Sequence, residues 1–326
     1  MKPVQKQPLV VGVGELVWDL LPSGKKLGGA PANFAHHANQ LGARSAVVSS
    51  VGDDPAGIEI FRQLGILGIS VETVSIHPSL PTSTVTVKLD AQGIPSYAIH
   101  ENVAWDDLVV NLASARAVAA ADAIVFGSLA QRSTRSSEAI FSLLKSAPAG
   151  ALRVFDINLR QPHFTRGIIE QGLQVADVLK LNDVELGFLE TWLGLRGNER
   201  QQLEQLIKSY ELKWVALTRG ARGSLLCSED EVSDDPGVPT TIVDTVGAGD
   251  AYTACLTLGL LHGWSLDLIN RRANELAAFV CSCAGATPVL PGAMRGWFAC
   301  SRLEVPPPAR FPEPQVALPG QSVSNH

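Results

Sequence analysis

The stretch Asp244-Thr245-Val246-Gly247-Ala248-Gly249-Asp250 runs directly into Ala251–Gly263, a segment carrying Ala251, Ala254, Leu256, Leu258, Leu260 and Leu261. That second part is apolar nearly all round and reads as a buried helix, because a helix without a polar face must be covered on every side. A Gly-Ala-Gly turn therefore opens onto the N-terminus of a central helix. Glycine allows positive φ and lets a ligand approach the backbone closely. The unpaired amides of a first helical turn, at the positive end of the dipole, form an anion site. Asp250 falls in that turn, where the dipole favours the ionised carboxylate and leaves it available as a base at neutral pH. An anion hole beside a carboxylate base is what phosphoryl transfer to a hydroxyl requires. The base takes the alcohol proton while the amides of Ala248, Gly249 and Asp250 neutralise charge on the moving group. Taken alone, the segment fits equally an ordinary helix-initial Asp after a glycine turn.

Working outward, short β-branched runs alternate with longer amphipathic stretches. Leu9–Val13, Ala46–Ser50, Ala123–Phe126, Arg153–Asp156, Val178–Leu181 and Trp214–Thr218 read as buried parallel strands. Pro31–Leu41, Pro55–Leu64, Ser136–Lys145, Asp183–Leu193 and Glu199–Tyr210 read as helices. Such alternation predicts an α/β fold with a doubly wound, mostly parallel sheet covered by helices on both faces. Two stretches break it. Gly14–Gly29 and Pro81–Asn102 show period-two patterns with turn residues, notably Thr84–Leu89 followed by the turn-like Asp90-Ala91-Gln92-Gly93. They predict a small, separate antiparallel β-sheet lid made of two insertions. The division expected is a core of residues 1–15, 30–78 and 106–304 with a lid of 16–29 and 79–105. Residues 305–326 hold six of the 20 prolines and read as a disordered tail.

Length and composition agree. The 326 residues correspond to about two domains, or one large α/β domain with an appendage. A composition 46% hydrophobic and 18% charged excludes collagen-like, coiled-coil and wholly disordered classes. The net charge of −6 argues against nucleic acid or an anionic membrane as the main partner, while leaving room for a small anion bound at a local nest. Five cysteines without a Cys-x-x-Cys pair read as reduced thiols, with no zinc or disulfide framework. Met1–Pro8 lacks the apolar core of a signal peptide, and a cytoplasmic protein is expected. Ser23-Gly24-Lys25-Lys26 fails as a phosphate-binding P-loop because position 19 is Asp and no Ser or Thr follows the lysines. Gly12-Val13-Gly14 lacks the third glycine of a dinucleotide fingerprint, and the adjacent His36 and His37 do not form an i, i+4 metal pair.

The Asp-Thr-x-Gly-Ala-Gly-Asp segment resembles the C-terminal signature of the ribokinase-like (PfkB) family of carbohydrate kinases. A second resemblance precedes it by about 215 residues: Gly28-Gly29-Ala30-Pro31-Ala32-Asn33-Phe34-Ala35, then Leu41-Gly42 and Val51-Gly52-Asp53-Asp54-Pro55-Ala56-Gly57. Two motifs in this order are far more specific than either alone, and the similarity runs from about Val10 to about Pro291. The resemblance implies a ribokinase-like fold with a water-excluding lid, Asp250 as catalytic base, and Gly247, Ala248 and Gly249 as the anion hole. It implies that Asp19, Gly28, Gly29 and Asn33 bind the sugar. Asn182 and Glu185, in Lys180-x-Asn182-x-x-Glu185, would help place Mg2+ through water near the phosphates of ATP. In Asp156-x-Asn158-x-Arg160, the arginine would stabilise the transferring phosphoryl group. Thr218, Gly220 and Gly223 resemble the family's nucleotide loop. Asn274 and Ala278 would lie beside adenine, and carbonyls near Asp244, Val246 and Cys283–Gly285 would hold a monovalent cation such as K+.

Within the family, Gly-Gly-Ala-Pro-Ala-Asn looks most like fructokinases, and Asn102 and Trp105 suit a neutral sugar through hydrogen bonding and ring stacking. Two residues depart from the pattern: Tyr252 replaces the usual Phe, and Phe164 stands where many fructokinases carry Trp. The expected reaction is ATP-dependent phosphorylation of fructose at its primary 6-hydroxyl. The alternatives are a kinase for ribose, 2-keto-3-deoxygluconate or a nucleoside, and a catalytically silent sugar-binding regulator. The expected partners are the sugar and ATP, with a homodimer formed through the lid and no nucleic acid or membrane.

Overall fold

The computed structural model describes residues 7–21, 24–89 and 95–298. The turn at Asp90–Gly93, the tail at 305–326 and Cys300 lie outside these residues. The first half of the chain runs β1 (Leu9–Val13), β2 (Val17–Leu21), β3 (Gly24–Gly28), α1 (Ala30–Gln40), β4 (Arg44–Gly52), α2 (Pro55–Ile66), β5 (Val74–His77), β6 (Ser83–Leu89), β7 (Pro95–Ile99), α3 (Leu112–Ala119), β8 (Ala123–Gly127) and α4 (Thr134–Ser146). It continues through β9 (Leu152–Asp156), α5 (Arg166–Val175), β10 (Val178–Asn182), α6 (Asp183–Leu193), α7 (Glu199–Tyr210), β11 (Trp214–Thr218), β12 (Ser224–Cys227), β13 (Val232–Asp235), α8 (Ala248–Leu261), α9 (Leu266–Cys281) and α10 (Gly292–Arg295).

Nine strands form the large sheet in the order β13-β12-β11-β10-β9-β8-β1-β4-β5. The run from β11 to β5 is parallel, and β12 and β13 extend it as an antiparallel edge. Strict alternation along each strand divides the core between two faces. Val11, Val13, Ile124, Phe126, Leu179 and Leu181 pack on one side with Ile140 of α4, Leu173 of α5, Leu189 of α6 and Leu206 of α7. Val10, Val125, Val154 and Val178 pack on the other with Phe34 of α1, Leu256 of α8 and Leu276 of α9. The doubly wound α/β expectation from strand–helix alternation is therefore the observed architecture. The chain winds from β1 to β4 and β5, then returns to place β8 on the opposite side of β1. The topological switch lies between β1 and β8, where ligands bind in open α/β sheets.

The second sheet has the order β3-β2-β6-β7. β2–β3 and β6–β7 are antiparallel hairpin pairs, but the central pair β2–β6 is parallel, with Asp19 opposite Val85. The wholly antiparallel sheet expected from the sequence is corrected to a mixed one. Each insertion folds as a hairpin, while the elements between them form a long crossover that lets their inner strands run the same way. No helix among the described residues is long and apolar enough to cross a membrane.

Candidate active site

The carboxyl ends of β1, β8 and β9 open into a cavity lined by Glu15, Pro31, Phe126, Asp156, Asn158, Asp250 and Thr253. Helix α8 points its N-terminus at this cavity. Gly247 caps it with φ 80°, and a Cβ there would lie 2.6 Å from the Ala286 carbonyl oxygen, so both conformation and packing require glycine. Gly249 has a different reason, which corrects the reading of it as part of the turn before the helix. It lies inside the helix, and its missing side chain leaves room for Lys180, whose Nζ would be 3.0 Å from a Cβ. The Ala248 amide lies 3.3 Å from the Thr245 carbonyl oxygen. Helix geometry denies the Gly249 and Asp250 amides intrahelical acceptors.

Asp250 occupies the third position of α8, and Asn33 Nδ2 donates to its Oδ2 at 2.8 Å. Burial, followed by the neighbouring Asp156 charge, pushes the Asp250 carboxyl up to about 6, against the pull of Asn33, Lys180 and Arg160. The dipole argument gave the opposite direction, because it ignored desolvation. Asp250 nonetheless remains mostly ionised at neutral pH. Asn33 is not a helix cap, since α1 starts from Gly29, and it faces the carboxylate instead.

Lys180, in the middle of β10, is buried, and its Nζ donates to Asp156 Oδ1 at 3.0 Å. Thr253 Oγ1 donates to Asp156 Oδ2 at 2.8 Å. Burial opposes the Lys180 charge, but Asp156, Glu185 and Asp250 outweigh it and hold the ammonium above the ordinary lysine value. Glu15 is a further buried carboxyl that sequence reasoning passed over. It accepts the Ala30 amide at 3.2 Å, and burial pushes it up to about 7. The signal for each was available: Glu15 stands just beyond the carboxyl end of β1, and Lys180 is an ionisable residue inside the otherwise apolar run of β10.

On the small sheet, Asp19 lies against Gly28, where a Cβ would come within 2.4 Å of Asp19 Oδ2. Gly29 has φ 112°, and a Cβ would lie 2.4 Å from the Glu15 carbonyl oxygen. Burial raises the Asp19 carboxyl, opposed by the charge of Arg160. Arg160 is exposed and has no ion-pair partner among the described residues, and its field reaches Glu15, Asp19 and Asp250. The fold thus gathers Asp19, the Gly28–Asn33 stretch, Arg160 and the α8 N-terminus from four separate regions of the chain.

Asn182 and Thr218 are register partners at the ends of β10 and β11. Asn182 Oδ1 accepts the Glu185 amide at 2.9 Å, and Glu185 accepts the Asn182 amide at 2.8 Å and the Leu159 amide at 2.9 Å. This capping box engages both Glu185 oxygens with backbone amides, leaving only their remaining lone pairs. Gly220 has φ 56° with open space beyond its Cα, and the neighbouring Arg219 and Arg222 pair with Glu199. At the α8 approach, Asp244 accepts the Val246 amide and the Gly285 amide, each at 3.0 Å, drawing the two expected cation-loop segments together.

One assignment, Trp105 as a surface for sugar stacking, does not fit this geometry. Trp105 is fully buried, with the Arg132 guanidinium 4.1 Å from its ring centroid, so its faces are not offered to a sugar. Asn102, at φ 57°, is exposed. Asn274 directs its amide at Ser224 Oγ, 2.8 Å, and Asp235 Oδ1, 2.9 Å, tying α9 to the β12–β13 edge, and Ala278 is buried on the same helix. Gly223 is required by packing, since a Cβ would lie 2.0 Å from the Asp235 carbonyl oxygen. The two departures from pattern also find structural partners. Tyr252 donates to Asn270 Oδ1 at 2.9 Å in a buried network, and Phe164 packs against Phe188 and Trp192 of α6.

The model for the pfkB family of carbohydrate kinases matches residues 23–293. A fructokinase of Escherichia coli is 32% identical over 296 residues, covering 86% of this chain and 95% of the relative. Among solved structures, a sugar kinase of Pyrococcus horikoshii in complex with ATP is 27% identical with a TM-score of 0.72, covering 85% of this chain and 94% of that one. A fructokinase of Vibrio cholerae with bound fructose, ADP and calcium is 25% identical with a TM-score of 0.73, covering 90% and 99%.

Proposed function

The chain belongs to the pfkB family of carbohydrate kinases, and on that premise we propose that it transfers the γ-phosphoryl group of ATP to the primary 6-hydroxyl of D-fructose. Asp250 takes the hydroxyl proton, the sugar oxygen bonds to the γ-phosphorus, and the bond from that phosphorus to the β,γ-bridging oxygen breaks, releasing ADP and fructose 6-phosphate. The amides of Gly249 and Asp250, with Arg160 opposite, stabilise the charge on the phosphoryl oxygens. The observation that carries this reading is the Asp250 carboxylate, fixed by Asn33 at 2.8 Å in the first turn of a buried helix.

The charge around the cavity supports a neutral sugar. Glu15, Asp156 and Asp250 line the cavity, Asp19 shares the field of Arg160 with Glu15 and Asp250, Lys180 is already paired to Asp156, and Arg160 is needed by the phosphoryl group. A carboxylate or phosphate on the acceptor would meet like charge, whereas hydroxyls can donate to Asp19 and Asn33. The fructokinase relatives support fructose specifically. The small sheet serves as a lid that keeps water from the phosphoryl group.

Bound with ATP, Mg2+ would neutralise charge on the phosphates, and Asn182 and Glu185 would hold its waters. The donor set fits this role: no cluster of three or more His, Cys, Asp or Glu among the described residues could hold a resident metal, and the free lone pairs of Glu185 and the side chain of Asn182 suit water-mediated contact.

The test is ADP release by the purified protein with Mg-ATP across neutral sugars, sugar acids and nucleosides. Fructose-dependent release that disappears in Asp250→Asn is expected. Release with another acceptor alone would overturn the fructose assignment, and none with any acceptor would overturn the kinase reading.

A further inference from the structure

Residues Gly52-Asp53-Asp54-Pro55-Ala56-Gly57 carry part of the family resemblance yet contribute nothing to the cavity. They form a socket around Thr82, the residue immediately before β6. Asp54 Oδ1 accepts the Gly57 amide at 2.8 Å, capping α2, and also the Thr82 hydroxyl at 2.7 Å. Asp54 Oδ2 accepts the Thr82 amide at 2.8 Å, and Thr82 Oγ1 in turn accepts the Gly52 amide at 2.9 Å. Neither glycine has positive φ; both are demanded by proximity. A Cβ on Gly52 would lie 2.6 Å from the Thr82 nitrogen, and one on Gly57 would lie 2.9 Å from Thr82 Oγ1.

The same end of α2 also holds the neighbouring strand. Trp18 Nε1 of β2 donates to the Ala56 carbonyl at 3.0 Å, and Lys25 of β3 pairs with Glu59. From the socket, β6 runs parallel to β2 with Ser83 opposite Val17, Thr84 opposite Trp18 and Val85 opposite Asp19. Thr82 therefore lies only a few residues of strand pairing from the carboxylate proposed to bind sugar.

We infer that Thr82 and Asp54 are positioning residues, anchoring the root of the small sheet to α2 so that Asp19 is held over the cavity. The link to catalysis rests on the kinase reading above; the anchor itself does not. A buried hydroxyl bonded as both donor and acceptor, on a carboxylate that also caps a helix, couples sheet position to the rigid core.

Hydrogen exchange without substrate tests the anchor, and steady-state kinetics test its purpose. In Thr82→Val, amides of β2 and β6 should exchange at least about tenfold faster while β8–β11 stay unchanged, as expected when the hydroxyl's two hydrogen bonds are lost in a local opening. The KM for sugar should rise about tenfold, with kcat and the KM for ATP changed less than about threefold. Thr82→Ser should restore wild-type behaviour. Asp54→Asn keeps an oxygen for the Gly57 amide but presents N–H to the Thr82 amide, so it should reproduce Thr82→Val. Unchanged exchange in β2 and β6, or equal acceleration throughout the core, would overturn the anchor. Faster exchange with an unaltered sugar KM would overturn the positioning role. If no acceptor is phosphorylated by the wild type, the kinase reading fails while the exchange result still decides the anchor.

Discussion

Asn33 Nδ2 donates to Asp250 Oδ2 at 2.8 Å, joining the first helix to the eighth across 217 residues. This bond favours the ionised carboxylate, while burial and Asp156 disfavour it and leave the group at about 6. A base must be deprotonated, so kcat/KM should rise with pH through a midpoint near 6. Asn33→Ala removes a bond that lowers the Asp250 pKa, so it should move this acid limb upward. Asp250→Asn should lower kcat by about 10²–10⁴ without a limb. A pH–rate series on the three proteins checks all of these.

The same group leaves a signature in stability. Its folded pKa lies above the ordinary carboxylate value of 3.8, so the folded state binds its proton more tightly than the unfolded chain. The resulting stabilisation is fully present below pH 3.8 and is lost as pH rises through about 6. Asp250→Asn abolishes that dependence. Thermal melts should show the variant above wild type at pH 8, with the gap closing towards pH 4.

Gly249 and Gly220 should respond unequally to substitution. Gly249→Ala drives a Cβ to 3.0 Å from Lys180 Nζ, and overpacking of this kind costs about 1–3 kcal/mol. Turnover should fall more than about tenfold as Lys180 and the first turn of α8 shift apart. Gly220→Ala meets open space, and its φ of 56° costs only about 1 kcal/mol. Melting temperatures and kcat of the two variants make the comparison.

Lys180→Met leaves Asp156 buried without its ammonium partner, which typically costs about 3–5 kcal/mol. Adding Asp156→Asn removes the stranded charge, so the double variant should regain part of the lost stability. A single variant melting like wild type would show that the pair is dispensable.

Trp105 is sealed beneath Arg132, so Trp105→Phe should lower the melting temperature and leave the sugar KM within about twofold of wild type. A large rise in sugar KM with an unchanged melt would return Trp105 to the sugar site.

The alternating strands and helices were legible because period is a local property. β10 begins where expected, at Val178, and α6 and α7 have the expected bounds. The edge strands β12 and β13 escaped notice because they are short, and β13 alternates only weakly. Trp105 was misjudged for a physical reason: an aromatic in a polar loop gives no sign of which neighbour will cover it. The partners that hold Asn274 were hidden likewise, since Ser224 and Asp235 lie far away in sequence.

By itself the sequence determined the α/β class, the glycine turn at the start of α8 and the two motifs that mark the family, because periodicity, φ requirements and residue spacing are written along the chain. Tertiary structure alone decided that Asn33 meets Asp250, that Lys180 fills the space left by Gly249 and that the Asp250 carboxyl lies above its ordinary value rather than below it. Desolvation and through-space charge depend on what surrounds a group, and those surroundings exist only once distant segments have packed together.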